Sequence, residues 1–216
     1  MNAFPDSTVF GRVITKTKFY DKMAVSPLVK RAFVEQVEGI VWKNKFSANT
    51  LNVQTGERVI EIDVFELALK RQAASDSLLR AIDNGVPHHI LFLLQFDGLW
   101  QAAIGYKEIG KTAITLTVKE YYRTPWMPLE HIHLFISGMT MDEVFDNFVR
   151  QINTSLPAGS TQPLRADLEK QEKLDSIQRK IDVLYKKMCA EKQPHRKFEL
   201  YQQIQALKAQ MVGEQL

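Results

Sequence analysis

Glu57, Glu61, Asp63 and Glu66 crowd one short stretch of the chain, and Lys70 follows them. Carboxylates brought together on a strand can hold a hard divalent cation, and a nearby lysine can steady an attacking water. A restriction-nuclease core places one carboxylate on a strand and a Glu-x-Lys pair on the next. Here Ala68 stands two places before Lys70, where the acid of such a pair belongs. Glu61 and Asp63 are two apart and share a strand face, whereas Glu66 has the other parity unless a bulge intervenes. A metal-dependent nuclease-like domain, active or degenerate, would rest on Glu61, Asp63, Glu66 and Lys70. The plainer reading is a charged outer face on a sheet.

Other candidate groups are sparser. His131 and His133 alternate with Ile132 and would face one way on a strand, a spacing that can hold a metal ion if a third ligand arrives. His88-His89 is a second pair. Neither has the cysteine or acid spacing of a complete site, so no cofactor is expected. Cys189 lacks a paired base and reads as a small packing residue. Neither a Gly-x-Gly-x-x-Gly loop nor a Gly-x-x-x-x-Gly-Lys-Ser/Thr loop is present, and no serine elbow is found. Lys16, Lys18, Lys43 and Lys45 are interleaved with Phe19, Tyr20, Trp42 and Phe46. Lysines on phosphates and rings on bases can make a nucleic-acid surface. Core rings and solvated lysines are the simpler alternative.

The elements that must position these groups follow from spacing. Ser26 caps, and Pro27 begins, an amphipathic helix expected to run to Phe46, with Leu28, Phe33, Val37, Ile40 and Val41 on its apolar face. A shorter helix is expected around Lys16 to Met23. Leu51 to Gln54 is a candidate strand, and Thr55-Gly56-Glu57 a turn before a long strand from Arg58 to Lys70. The parity of that strand slips near Phe65, which predicts a bulge or burial on both faces. Asp76 to Asn84 reads as a helix capped by Ser75 and closed by Gly85. His88 to Phe96 and Leu99 to Lys107 flank Asp97-Gly98, a hairpin signal. Ala113 to Tyr122 and a shorter stretch near His131 to Phe135 complete the strands. Thr140, with Glu143 three residues on, opens a helix from Met141 to Asn153.

The C-terminal quarter has a different rhythm. Leu174, Ile177, Ile181, Leu184 and Met188 are spaced 3, 4, 3 and 4 apart, and Leu200, Ile204, Leu207 and Met211 are spaced 4, 3 and 4 apart. Each run is a heptad seam between Lys, Arg, Glu and Gln faces. Pro194 interrupts a continuous helix. The expectation is therefore an α+β domain over residues 1–155, a linker at 156–164, and an antiparallel coiled-coil hairpin over 165–213. The sheet of that domain is expected to be mixed or antiparallel and flanked by helices. A narrow seam leaves the arms in need of further packing, so the nine seam residues mark an interaction site for a protein partner or a second copy.

Charge and composition narrow the class. The 216 residues carry a formal net charge of +3. Residues 1–162 hold 17 basic and 17 acidic side chains, and residues 163–216 hold 11 and 8. A dedicated duplex-DNA binder shows a stronger bias, so nucleic acid is at most an accessory ligand. No apolar run reaches the ~18–20 residues of a membrane span, which predicts no membrane association. The start has neither a basic nor an apolar signal region, and a single cysteine suits a reducing compartment, so a cytoplasmic location is expected.

An ordered set of stretches carries a resemblance: Phe4-Pro-Asp-Ser-Thr8, Lys18-Phe-Tyr-Asp-Lys22, Val41-Trp-Lys-Asn-Lys45, Val59-Ile-Glu-Ile-Asp-Val-Phe-Glu-Leu-Ala-Leu-Lys70, Val86-Pro-His-His-Ile-Leu-Phe-Leu-Leu94, Tyr106-Lys-Glu108, Tyr122-Arg-Thr-Pro-Trp126, Met141-Asp-Glu-Val-Phe-Asp-Asn-Phe-Val-Arg-Gln-Ile152 and Glu191-Lys-Gln-Pro-His-Arg-Lys-Phe-Glu-Leu200. Together they resemble a bacterial domain-of-unknown-function family, DUF4391, over nearly the whole chain. The resemblance implies a cytoplasmic protein encoded beside helicases and DNA methyltransferases of restriction-like systems. The expected function is a non-enzymatic accessory protein docking through its hairpin, with a helicase or DNA methyltransferase as the implied partner.

Overall fold

A computed structural model describes residues 4–21, 26–109, 116–157 and 159–215. Met1 to Ala3, Lys22, Met23, Ala113 to Thr115 and Ala158, on which some of the expectations fall, lie outside the described residues. The chain divides into two compact units, Met1–Thr154 and Ser155–Leu216.

The first unit is an α+β domain built on a seven-stranded, mostly antiparallel sheet. Its elements are β1 (Val9–Ile14), α1 (Thr17–Asp21), α2 (Pro27–Gln36), β2 (Val37–Ser47), α3 (Ala48–Leu51), β3 (Glu61–Leu69), α4 (Asp76–Asn84), β4 (His89–Phe96), β5 (Leu99–Ile109), β6 (Leu116–Arg123), β7 (Met127–Pro128) and α5 (Met141–Ile152). The strands lie in the order β1-β2-β3-β4-β5-β6, and β7 pairs with β5. Only β3 and β4 run parallel, because α4 carries the chain back between them. Asp97-Gly98 makes the β4–β5 turn, with φ of 46° and 76° at its two residues, as a two-residue hairpin requires.

One face of the sheet packs on α2 and α4. Phe33 from α2 and Leu78, Leu79 and Ile82 from α4 meet Ile40, Phe65, Leu67, Phe92 and Leu94. On the other face α5 packs, with Phe148 stacked on Phe46 at 5.8 Å and Phe145 against His89 at 4.4 Å. This two-sided cover explains the lost alternation of β3: its residues from Glu61 to Phe65 are all buried. The irregularities lie in β2, between Val37 and Gly39 and between Trp42 and Asn44.

The expected helix from Ser26 to Phe46 is corrected. It ends at Gln36, and the eleven residues after it are strand. Ser26 caps it as expected, accepting the Val29 N–H. Beyond Gln36 the chain is rich in β-branched and aromatic residues (Val37, Ile40, Val41, Trp42, Phe46), and Gly39 weakens a helix; sheet partners on both sides then decide the matter. Leu28, assigned to the apolar face, is exposed. The candidate strand at Leu51 to Gln54 is also replaced. Ser47 and Thr50 form a reciprocal capping box around the single turn of α3, and Asn52 is left-handed with φ 55°. Gln54 keeps only an isolated bridge to Thr140. The long strand begins at Glu61 rather than Arg58, because the N–H groups of Glu57, Arg58 and Val59 converge on the Asp142 carboxylate of α5. Near His131 to Phe135 there is no strand. A 3-10 turn spans Leu129–His131, and both backbone polar groups of Phe135 bond the Gln151 side chain instead of a ladder.

The second unit is a hairpin of α6 (Leu164–Ala190) and α7 (Pro194–Gln215). The Glu191 carboxylate accepts the N–H groups of Lys192 and Gln193, and Pro194 opens α7 where its missing N–H costs nothing. Ile177, Ile181 and Ile204 form the buried seam, with Leu184, Met188, Leu207 and Met211 packed against it. Leu174 and Leu200 are half-buried. The seam is thus filled by the two arms themselves. Ile181→Ala and Ile204→Ala should each weaken the hairpin by about 2–4 kcal/mol. Val183→Ala, outside the seam, should change it by no more than about 0.5 kcal/mol. Hydrogen exchange of the α6 and α7 amides in the full-length chain measures both, and equal effects would refute this seam.

Candidate functional site

The antiparallel register of β2 and β3 sets Lys45 opposite Asp63 and Ser47 opposite Glu61. Lys45, Glu61 and Asp63 therefore project from one face, the one that carries α2 and α4. Lys45 Nζ lies 2.7 Å from Glu61 Oε2, and His88, just ahead of β4, places Nε2 3.7 Å from Glu61 Oε1. Asp63 has no exposed surface. By geometry no group donates a hydrogen bond to either of its carboxyl oxygens or to Glu61 Oε1, although the Glu61 carboxyl and the Trp42 indole lie close enough to bear on the titration of Asp63. The indole N–H of nearby Trp42 donates to the Asn44 carbonyl at 3.1 Å. Burial, and then the neighbouring Glu61 charge, push the Asp63 carboxyl up to about 8, with Lys45 opposing. The pair therefore holds a proton at neutral pH. On the solvent side Lys45 and His88 are about one-third exposed, with side-chain exposures of 38% and 33%.

Of the four residues expected to form a nuclease-like set, Glu61 and Asp63 come together, and Glu66 and Lys70 do not join them. Glu66 faces the opposite side of the sheet and pairs with Lys43 at 2.6 Å. Lys70 lies past the end of β3, where its Nζ donates to the Val34 carbonyl at 2.8 Å. Lys45 stands beside the acids instead. Reading β2 as helix hid it, since only strand pairing brings residue 45 to residues 61 and 63.

The lysines named as a nucleic-acid surface do not share a face. Lys16 Nζ donates to the Val37 carbonyl, Lys43 and Lys45 leave β2 on opposite sides, and Lys18 is exposed. Phe19 and Phe46 are core residues. His131 and His133 are exposed and alternate with buried Ile132 and Leu134. No group of three His, Cys, Asp or Glu side chains among the described residues is placed to hold a metal ion. His89 is buried against Phe145, and burial together with the Lys107 and Arg58 charges depresses it to about 3, so it is neutral. Cys189 is exposed.

A second buried polar group, not foreseen from the sequence, lies on the same face. Asp83 at the end of α4 meets Lys107 Nζ at 3.0 Å, and both side chains are buried. The Tyr121 hydroxyl donates to Asp83 Oδ2, and Lys107 also donates to the His88 carbonyl at 2.6 Å. Gly105 permits this closure. A Cβ there would stand 3.0 Å from the Tyr121 ring, 3.1 Å from Val118 and 3.3 Å from Asp83 Oδ2. A polar chain thus runs from Tyr121 through Asp83 and Lys107 to the His88 backbone, and the His88 ring reaches Glu61.

The chain belongs to the family described as a domain of unknown function, DUF4391, whose model matches residues 3–211. No curated protein and no solved structure matches it. Among the described residues no helix is long and apolar enough to cross a membrane.

Two predictions follow from the buried charges. Asp83→Ala strands the Lys107 ammonium and should cost about 3–5 kcal/mol, whereas the double change Asp83→Leu with Lys107→Met should recover most of that loss. Urea unfolding of the three proteins reads the difference, and a mild Asp83→Ala would dispose of the ion pair. Asp63 binds its proton more tightly folded than unfolded. Its contribution is complete below the unfolded value of about 4 and is lost as pH rises through about 8. His89 acts in the other direction, lowering stability as pH falls below about 6.5. Relative to wild type, Asp63→Asn should therefore gain stability steadily as pH rises from about 5 to about 9. Melting curves in EDTA across that range check it, and a flat difference would contradict it.

Proposed function

We propose that this chain is a non-enzymatic accessory protein that docks through its C-terminal hairpin onto a protein partner. Its setting is a cytoplasmic bacterial DNA-modification, restriction or defence assembly, and a helicase or DNA methyltransferase is the partner suggested by the resemblance of the sequence. One observation carries the reading. With the seam filled by the arms, large exposed side chains stand outside it, among polar residues such as Asp182, Gln205 and Lys208 at the same offset from the seam. Tyr185 follows the seam residue Leu184, Tyr201 follows Leu200, and Val212 follows Met211. Each is turned about 100° from the seam in the same sense. In antiparallel arms that sense brings the three residues to one side of the hairpin. Tyr185 is 56% exposed, Tyr201 48% and Val212 57%. Phe198 is exposed on α7 as well, and Cys189 on α6. Aromatic side chains at the surface supply large contact area at low entropic cost, which is why they recur as binding anchors. The docking surface is therefore the exposed side around Tyr185 and Tyr201 rather than the nine seam residues.

The test is co-expression of the full-length chain with the helicase or methyltransferase encoded beside it, followed by sedimentation analysis. A complex that weakens tenfold or more in Tyr185→Glu with Tyr201→Glu, while the helical signal persists, is the expected outcome. A complex indifferent to both changes, or a chain that stays monomeric with every neighbour, would defeat the proposal.

A further inference from the structure

The Glu61–Asp63 pair poses a physical problem that the docking reading leaves untouched. A carboxyl group with no exposed surface ordinarily has hydrogen-bond donors around it, because an unmatched buried polar group costs about 1–3 kcal/mol or more. Asp63 is wholly buried, and both its oxygens lack donors. Glu61 Oε1 lacks one as well, while Lys45 engages only Oε2. Three carboxylate oxygens on one strand face are thus left without a hydrogen-bond partner; Asp83 Oδ1 lacks one too, but there the Lys107 ammonium stands 3.0 Å away. Asp142 takes three backbone N–H groups, Asp146 takes Arg58, and Asp83 takes Lys107 and Tyr121.

We infer that Glu61 and Asp63 form a binding site for one hard divalent cation, Mg²⁺ or Mn²⁺, with Lys45 beside it.

The donor set selects the ion. Zinc sites take three or four ligands rich in nitrogen and sulfur, and calcium takes six to eight oxygens; neither set is present here. Magnesium and manganese are held by one or two carboxylates, with water completing the shell. Glu61 offers Oε1, the oxygen not taken by Lys45, and Asp63 offers either of its two. The ion approaches along the edge formed by Lys45 and His88, both partly exposed. Lys45 has two effects. Its ammonium competes with the ion for the negative charge of Glu61, and it stands where an anion coordinated to the ion would find a counter-charge.

The protein as it exists, full length and freed of metal by EDTA and dialysis, is titrated with Mn²⁺ alone and followed by calorimetry and by the electron paramagnetic resonance of free Mn²⁺. One ion per chain is expected. Asp63→Asn and Glu61→Gln should each weaken binding roughly tenfold or more. Glu66→Gln, on the opposite face, should leave it unchanged. Lys45→Met should tighten it, because the competing ammonium is gone. The inference is overturned if wild type takes up no Mn²⁺ at millimolar concentration, or if the ion is held equally by the Asp63→Asn and Glu61→Gln variants. The wild-type titration stands even if a variant fails to fold.

Discussion

The ladder between β2 and β3 is the constraint from which the rest of the domain is arranged. It joins the edge strand β1 to the parallel pair β3 and β4, and it holds two carboxyl groups against a lysine under the α2–α4 layer. Its register depends on a local irregularity. Trp42 and Lys45 are three residues apart, which in a regular strand would send them to opposite faces. The bulge between Trp42 and Asn44 absorbs one residue, so Trp42 lies opposite Phe65 and Lys45 opposite Asp63, both on the side that carries α2 and α4. Lys43 is turned to the other face, where it meets Glu66 and stands over the Trp100 ring. One extra residue thus sorts two Lys–Glu pairs onto the two sides of the sheet.

The buried charges around this ladder differ in how they are neutralised. Asp83 and Lys107 face each other at 3.0 Å as a buried ion pair, and the Tyr121 hydroxyl donates to the other oxygen of Asp83. Such a pair specifies geometry more than it adds stability, since the cost of desolvating both ions roughly offsets their attraction. It fixes the end of α4 to β5 and β6 and, through the His88 carbonyl, the start of β4. Glu61 and Asp63 are placed differently. Their charge is met by one partly exposed lysine and a retained proton, so this end of the sheet reaches solvent at Lys45 and His88 where the Asp83 pair is buried.

The hairpin obeys a simpler physics. Two arms of about thirty to forty ångströms need a continuous apolar strip to stay together, and isoleucines and leucines at heptad spacing supply it. Filling the seam leaves the flanking side chains Tyr185, Tyr201 and Val212 in contact with water. Single exposed apolar side chains among charged neighbours cost a helix surface little, whereas the buried seam holds the arms together.

Much of this was legible in the residues. The caps at Ser26, Ser75 and Thr140, the Asp97-Gly98 turn and the two heptad runs broken before Pro194 are local signals, decided within a few residues, and the structure bears each of them out. The pairing of Glu61 with Asp63 on one face also follows from two-residue periodicity alone. The switch from α2 to β2 at Val37 could not be read locally, because Val37, Ile40 and Val41 fit a helical stripe as well as a doubly covered strand, and only hydrogen bonds to β1 and β3 choose between them. The same pairing brought Lys45 to Glu61 across sixteen residues, and the packing of α4 on the sheet brought Asp83 to Lys107 across twenty-four. Propensity and periodicity act over one or two turns of chain, so they determine where elements begin and which face is apolar. Which charged side chains meet is decided by strand order and register, and these are properties of the assembled sheet.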